Sequence, residues 1–309
     1  MEQIRTDLAL EAHQMCTTEN VGEYSGIKVN EKDEGSIKIT KIDVLDDEGS
    51  KVLGKPVGQY ITVESPDIKY DLESYEKTCI ILSNLIKEMM GTQKKTLVVG
   101  LGNKQITPDA LGPLVAEKLM VTGHIKEEGT DILGDDFSSV YAIAPGVLGT
   151  TGIESAEVIK GVVERVKPDV IIAVDALASR SINRISTTFQ ISDTGINPGS
   201  GVANKRKALS EETLGVKVIA IGVPTVVDAK TVAIDSIDTA LGKIGGEDLD
   251  EMKKGEFIKE HIGSEIGSFM VTPKDIDIVI EKTSKTVANG INLALHKNLT
   301  FRDIEGYVG

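Results

Sequence analysis

Two aspartates stand where an α/β chain usually does its chemistry. Asp109 lies in TPDALGP, a few residues beyond the apolar run TLVVGL, and Asp175 closes the run DVIIAV. Residues just past the carboxyl ends of parallel strands converge on one crevice, the usual ligand site of an open α/β sheet. Two carboxylates meeting there can share a proton, because the first to ionise raises the pKa of the second. One can then take a proton from water while the other protonates a carbonyl or a leaving amine. Asp109 has a simpler reading as well, since an acid in the first turn of a helix favours the dipole. Asp175 is harder to read as structural, because a carboxylate closing an Ile-Ile-Ala-Val run is unfavourable unless paired or near solvent.

Other chemistries fit less well. The stretch VVGLGNKQITPDALGP begins like a nucleotide turn at Gly100 and Gly102. Gln105 then stands where a third glycine is needed, and Asp109 would repel phosphate. No Lys-Ser or Lys-Thr pair closes a glycine loop. Gly199-Ser200-Gly201, in NPGSGV, does not match a strand–serine–helix elbow. None of the four histidines, His13, His124, His261 and His296, adjoins a glycine-flanked serine or a cysteine, and each reads as a surface or interface residue. Cys79 falls in a helical apolar stripe and reads as a small buried hydrophobe. Cys16 has no cationic neighbour to lower its pKa. Two Asp ligands awaiting a His would suit a metal, but no histidine lies between His124 and His261. The reading therefore calls for no metal and no cofactor. A metal-dependent peptidase and a non-catalytic binding module stay open beside it.

Around the pair, the loop SDTGINPGSGVANKRKALS can hold an extended peptide by backbone hydrogen bonds, with Lys205-Arg206-Lys207 attracting acidic residues. Asn103, Gly199, Ser200, Gly201 and Asp228 are the candidates for the rim of such a site; Asp228 can orient the pair, though capping the helix that follows it is the favoured role.

The elements that must position these residues are readable from texture. TLVVGL, VYAIAP, DVIIAVDA and VKVIAIGVP are short, near-continuous apolar runs, as strands buried on both faces are. Helical candidates alternate with them: DALGPLVAEKLM, GIESAEVIKGVVERV and AIDSIDTALGKI. This alternation predicts a three-layer αβα core with a mostly parallel sheet over residues 91–309. Ahead of it, GIKVN, GSIKITKIDVL and GQYITVESP alternate apolar and polar residues, predicting a small antiparallel β subdomain, and Leu72 to Gly91 has helical spacing. Residues 1 to about 20 show no firm period and read as a mobile arm. Residues 245–268 are polar and glycine-punctuated, an excursion from the core. The closing helix is expected to be capped at Thr272 with Pro273 following.

Composition bounds the partners. The chain has 309 residues, 40% hydrophobic and 27% charged, with a formal net charge of −14. Such a charge argues against general affinity for nucleic acid or an anionic membrane. No stretch approaches the ~20 apolar residues of a membrane span. The N-terminus lacks the order of a signal peptide, and two distant cysteines make no disulfide framework, so an intracellular, reducing compartment is expected.

Long stretches of the chain carry a resemblance. VVGLGNKQITPDALGP, APGVLGTTGIESAEVIKGVVERVKPDVIIAVDALASRS, ISDTGINPGSGVANKRKALS, VIAIGVPTVVDA and FMVTPKDID closely resemble the germination protease of spore-forming bacteria, and IRTDLALEA resembles that family's processing region. The segment ahead of Phe269 is shorter than in the family. The resemblance implies an atypical aspartic endopeptidase that degrades the small acid-soluble proteins coating DNA in dormant spores. It implies a homotetramer, made in the cytoplasm of the developing spore as a zymogen. It also implies a core similar to that of the hydrogenase maturation endopeptidases. Carried onto this sequence, it makes Asp109 and Asp175 the catalytic pair, with self-cleavage between Asp7 and Leu8 freeing a propeptide of residues 1–7. The span from residue 8 to 90 then holds the arm, the β subdomain and a helix.

Overall fold

The computed structural model describes residues 6–19, 25–92, 95–127, 134, 136–197, 208–233, 236 and 269–308. Gly199, Ser200, Gly201, the basic run that follows them and the polar stretch 245–268 lie outside the described residues, as does most of the expected helix AIDSIDTALGKI.

Nine strands among the described residues form one sheet. They are β1 (Ile27–Glu34), β2 (Ile37–Val44), β3 (Gly58–Glu64), β4 (Lys95–Gly100), β5 (Ser139–Ile143), β6 (Val170–Ser179), β7 (Thr188–Ser192), β8 (Lys217–Asp228) and β9 (Met270–Val271). Their spatial order is β1-β2-β3-β7-β8-β6-β4-β5, with β9 pairing to β8. The pairs β5–β4, β4–β6 and β6–β8 are parallel, as their apolar runs predict. The pairs β1–β2, β2–β3, β3–β7 and β7–β8 are antiparallel. The N-terminal strands therefore continue the core sheet: β7 bridges the two halves by pairing with β3 on one side and β8 on the other.

Helices cover both faces, which makes the fold the three-layer α/β class that the alternation predicts. On one face α3 (Leu72–Met90), α4 (Leu111–Glu117) and α6 (Ile276–Leu295) pack Leu82, Ile86, Leu111, Val287 and Ile291 against Val98, Ile172 and Ile219. On the other, α5 (Ser155–Val166) sets Ile159 and Val163 on Leu97, Val99, Ile171 and Ala173. Adjacent residues of β4 and β6 thus serve opposite cores, which is why those runs are apolar without a break. Further along the sheet, α1 (Ala9–Glu19) and α2 (Asp47–Leu53) cover Ile42, Val44 and Tyr60.

Local chemistry marks the helix ends. Asp71 caps α3 by accepting from Ser74 N at 2.7 Å, and Gly91 ends it. Asp46 caps α2 through Gly49 N at 2.9 Å, and Gly54 ends that helix in a left-handed conformation.

Three expectations are corrected. The arm is ordered over its described part: Leu8 and Ala9 are fully buried and α1 begins at Ala9. Its weak amphipathic signal hides this, because the arm is held by polar side chains as much as by an apolar stripe. The closing helix starts at Ile276 after Asp275, not behind a Thr272 cap; the Thr272 hydroxyl instead donates to Thr225 O at 3.3 Å, on β8. His296 is buried, not at the surface: it packs against Phe137 with ring centres 5.2 Å apart, and its Nε2 lies 3.2 Å from Met120 O.

Candidate active site

The turn after β4 is built around Asp109. Gly100 pairs with Val174 of β6, and Leu101 N extends the ladder to Val174 O at 2.8 Å. The chain then doubles back through a short 3-10 turn, Thr107–Asp109, which lies against β6, β8 and α6. Gly102, at φ 113, and Gly112 make this possible. A methyl group on Gly112 would fall 2.3 Å from Leu101 O and 2.6 Å from Val174 O, and one on Gly102 would fall 2.0 Å from Asp109 O. These glycines admit the chain's own backbone, not a phosphate.

Asp109 is held by that turn rather than spent on capping. Its Oδ2 accepts from Asn103 N at 2.7 Å, and its own N donates to Ile106 O at 2.8 Å. The N-cap position of α4 is Ala110, and no side chain caps that helix. Asn103, a rim candidate, thus orients Asp109 through its backbone, while its Oδ1 accepts from Gln105 N at 3.0 Å.

Asp175 sits within β6, one residue past the partner of Gly100, and is 5% exposed. Its Oδ1 accepts from its neighbour Ala176 N at 2.9 Å. Asp109 therefore follows the carboxyl end of β4, whereas Asp175, expected to close its strand, lies within β6, which runs on to Ser179 past the point where β4 stops. Asp228, at the end of β8, accepts from Lys230 N at 2.8 Å, as an N-cap does for the helical residues 229–233.

Asp175 is opposite Gly222 of β8, and Gly222 is opposite Gln190 of β7. Residues paired across a ladder point to the same face, so Asp175 and Gln190 share the face on which α1 lies.

The arm docks beside this row. Asp7 N donates to Ala178 O at 3.0 Å, and Asp7 Oδ2 accepts from Ala178 N at 2.8 Å, three residues along β6 from Asp175. The Asp7 carbonyl accepts from Lys55 Nζ at 2.9 Å and from Gln190 Nε2 at 3.4 Å. Gln190 Oε1 in turn accepts from Ala9 N at 2.7 Å, which fixes the orientation of its amide. Burial lowers the pKa of Lys55, while the charges of Asp7 and Glu11 oppose that shift.

Beyond the arm's turn, Glu11 is 2% exposed and fully engaged. It accepts from Arg180 N at 2.7 Å, Ser181 N at 3.1 Å and Arg184 Nη1 at 2.9 Å, and the Thr6 hydroxyl also donates to it. Arg184 reaches Glu64 on β3 through Nε, at 2.9 Å. These contacts and the burial of Leu8, worth about 1.5–3 kcal/mol, pin the arm to the body. A cleft of 510 Å³ opens alongside, lined by Glu11, Gln14, Glu64, Arg180 and Arg184 but not by the two aspartates.

The sequence offers Asp109 and Asp175 as candidates, and the family resemblance the Asp7–Leu8 bond; it gives no sign of the arm's partners Lys55 and Gln190, nor of Glu11 and Arg184. Nothing in LGKPVG or TTFQIS marks the first two, because both act through the fold of the arm. Among the described residues no group of three or more His, Cys, Asp or Glu side chains is set to hold a metal. No described helix is long and apolar enough to cross a membrane.

A doubly covered α/β sheet hosts many chemistries, and comparison narrows them. The germination protease family profile matches residues 6–256 and 239–308. The chain is 46% identical to a germination protease of Caldanaerobacter subterraneus subsp. tengcongensis over 97% of both chains, and 46% identical to one of Clostridium tetani over 99% of both. It is 40% identical to one of Bacillus velezensis, covering 96% of this chain and 94% of that one. The chain belongs to the germination protease family and is a peptidase. A NiFe hydrogenase maturation protease from Thermococcus kodakarensis is similar over 68% of this chain and 98% of its own, at 19% identity and a TM-score of 0.37, too slight a likeness to carry an argument.

Proposed function

We propose that this protein is the endopeptidase that initiates degradation of small acid-soluble, DNA-coating spore proteins during germination, with Asp109 and Asp175 together activating water. One carboxylate takes a proton from water as its oxygen attacks the scissile carbonyl. The two carboxylates share one site on this reading, so that the other keeps its proton and gives it to the leaving amine. On this reading the chain is made as a zymogen that cuts itself between Asp7 and Leu8 and works as a homotetramer in the spore interior.

The observation that carries the reading is the tie between Asp7 and Ala178, on the strand that contains Asp175. It ties the residue ahead of the Asp7–Leu8 bond to β6, three residues from Asp175, and on this reading the docked arm blocks entry to the crevice until it is cut. The rim candidates Gly199, Ser200 and Gly201 belong to the same reading, as backbone contacts for an extended substrate, with Asn103 orienting Asp109 through its N–H and Asp228 at the edge of the site.

N-terminal sequencing of the purified chain during maturation, beside Asp109→Asn and Asp175→Asn, tests the reading. A parent beginning at Leu8 and two variants still beginning ahead of Asp7 are expected. Variants that mature at the parental rate would sink the pair. Incubation of the matured protein with a small acid-soluble spore protein must yield new termini after acidic residues; stable complexes with no new termini would make it a binding module. Sedimentation must give the mass of four chains.

A further inference from the structure

Resting on the reading that the Asp7–Leu8 bond is self-cleaved, we infer that Lys55 and Gln190 form the electrophilic half of the active centre, binding the oxygen of the scissile carbonyl. The carbonyl of Asp7 belongs to that bond, and among the described contacts it accepts from two side chains, Lys55 Nζ at 2.9 Å and Gln190 Nε2 at 3.4 Å. Neither is a loose surface group. Gln190 is 9% exposed, and its other amide atom is engaged by Ala9 N, on the far side of the same bond. Lys55 is half-buried and also reaches Thr6 O at 3.4 Å. Gln190 shares a cross-sheet row with Asp175, two strands and so about 10 Å away along the sheet, a gap that two side chains and a water can span.

An aspartic pair alone leaves the developing oxyanion to be neutralised by its own shared proton. A cation and an amide N–H already aimed at the oxygen make that proton available to the leaving amine. In the step, the water oxygen bonds to the Asp7 carbonyl carbon as one aspartate accepts the water proton. The carbonyl electron pair moves onto the oxygen facing Lys55 and Gln190. Collapse of the adduct restores the carbonyl and breaks the bond to the Leu8 nitrogen, which takes a proton from the second carboxyl group. The products are an Asp7 carboxyl group and a Leu8 amine, with one water consumed. Such preorganised donors act most strongly where water is excluded.

The test follows loss of residues 1–7 by intact mass in the full-length parent and in Lys55→Met, Lys55→Arg and Gln190→Glu. Circular dichroism checks folding, and amide hydrogen exchange over residues 8–12 checks that the arm stays docked. Lys55→Met and Gln190→Glu are each expected to slow maturation about 100-fold, the effect of losing one oxyanion donor, with the arm still protected. Lys55→Arg should recover part of the rate. A Lys55→Met chain that matures as fast as the parent overturns the inference. So does one in which slow maturation accompanies an unprotected arm, since Lys55 would then be only an anchor. A parent that never loses residues 1–7 overturns the proposed function itself, and this inference with it, whereas a maturing parent beside an equally fast Lys55→Met overturns the inference alone.

Discussion

Asp175 and Gln190 occupy one cross-sheet row, on either side of Gly222, with both side chains on the face that receives α1. Asp175 belongs to the parallel half of the sheet and Gln190 to the strand that joins it to the antiparallel half. The arm is bonded to both strands, through Ala178 and through Gln190. The candidate site therefore lies at the joint between the two halves, and its parts can be tested separately.

Isosteric replacement should separate chemistry from structure at the two aspartates. Asn in place of Asp109 or Asp175 keeps an oxygen for Asn103 N or Ala176 N. Peptide hydrolysis should fall at least about 100-fold, the usual scale of lost acid–base catalysis, with the thermal midpoint nearly unchanged. Asp109→Ala leaves the Asn103 N–H without that acceptor and should also cost about 1 kcal/mol. Steady-state assays beside denaturant unfolding check both.

Gly112→Ala should damage stability and activity together. Its methyl group would press on Leu101 O and Val174 O, both backbone atoms that cannot rotate away. A cost of about 1–3 kcal/mol is expected, and the displaced turn carries Asp109 with it. Urea titration gives the first number, and a variant as stable as the parent would show that the turn is loosely held.

Glu11 anchors the arm, and Glu11→Gln should loosen it. The amide can still accept a hydrogen bond from the backbone but loses the charge facing Arg184, 2.9 Å away. A loss of about 1–3 kcal/mol is expected, read as faster amide exchange over residues 6–12 and easier proteolysis ahead of Leu8. Unchanged protection would place the anchor in Leu8 and Asp7 instead.

His296 should make the fold sensitive to mild acid. Burial lowers its pKa below the ordinary 6.5, with Met120 O opposing only in part. The unfolded chain then binds the proton more readily than the folded one, so the contribution of His296 is fully present above pH 6.5 and is lost as pH falls below it. The unfolding midpoint of the parent should drop between pH 7.5 and pH 5 by more than that of His296→Phe, which keeps the contact with Phe137. Equal drops would assign the acid sensitivity elsewhere.

Much of this protein is legible in its sequence because much of it is local. The apolar runs of β4, β6 and β8, the capped span of α3 and the glycine turn ahead of Asp109 each depend on residues within a few positions of one another. That is enough to predict the α/β class and to put Asp109 just past β4 and Asp175 on the neighbouring β6, though within that strand and not at its end. The tertiary structure alone decided the rest. β7 is a five-residue strand without a clear period, yet it carries Gln190 and joins the two halves of the sheet. The arm reads as featureless because its order comes from partners far along the chain: Asp7 on Ala178, Ala9 on Gln190, Glu11 on Arg184. Periodicity reports how a segment meets a core. An ammonium and a side-chain amide brought from distant positions onto one backbone carbonyl, Lys55 and Gln190 on Asp7 O, leave no periodic trace, and only the folded chain shows that they meet.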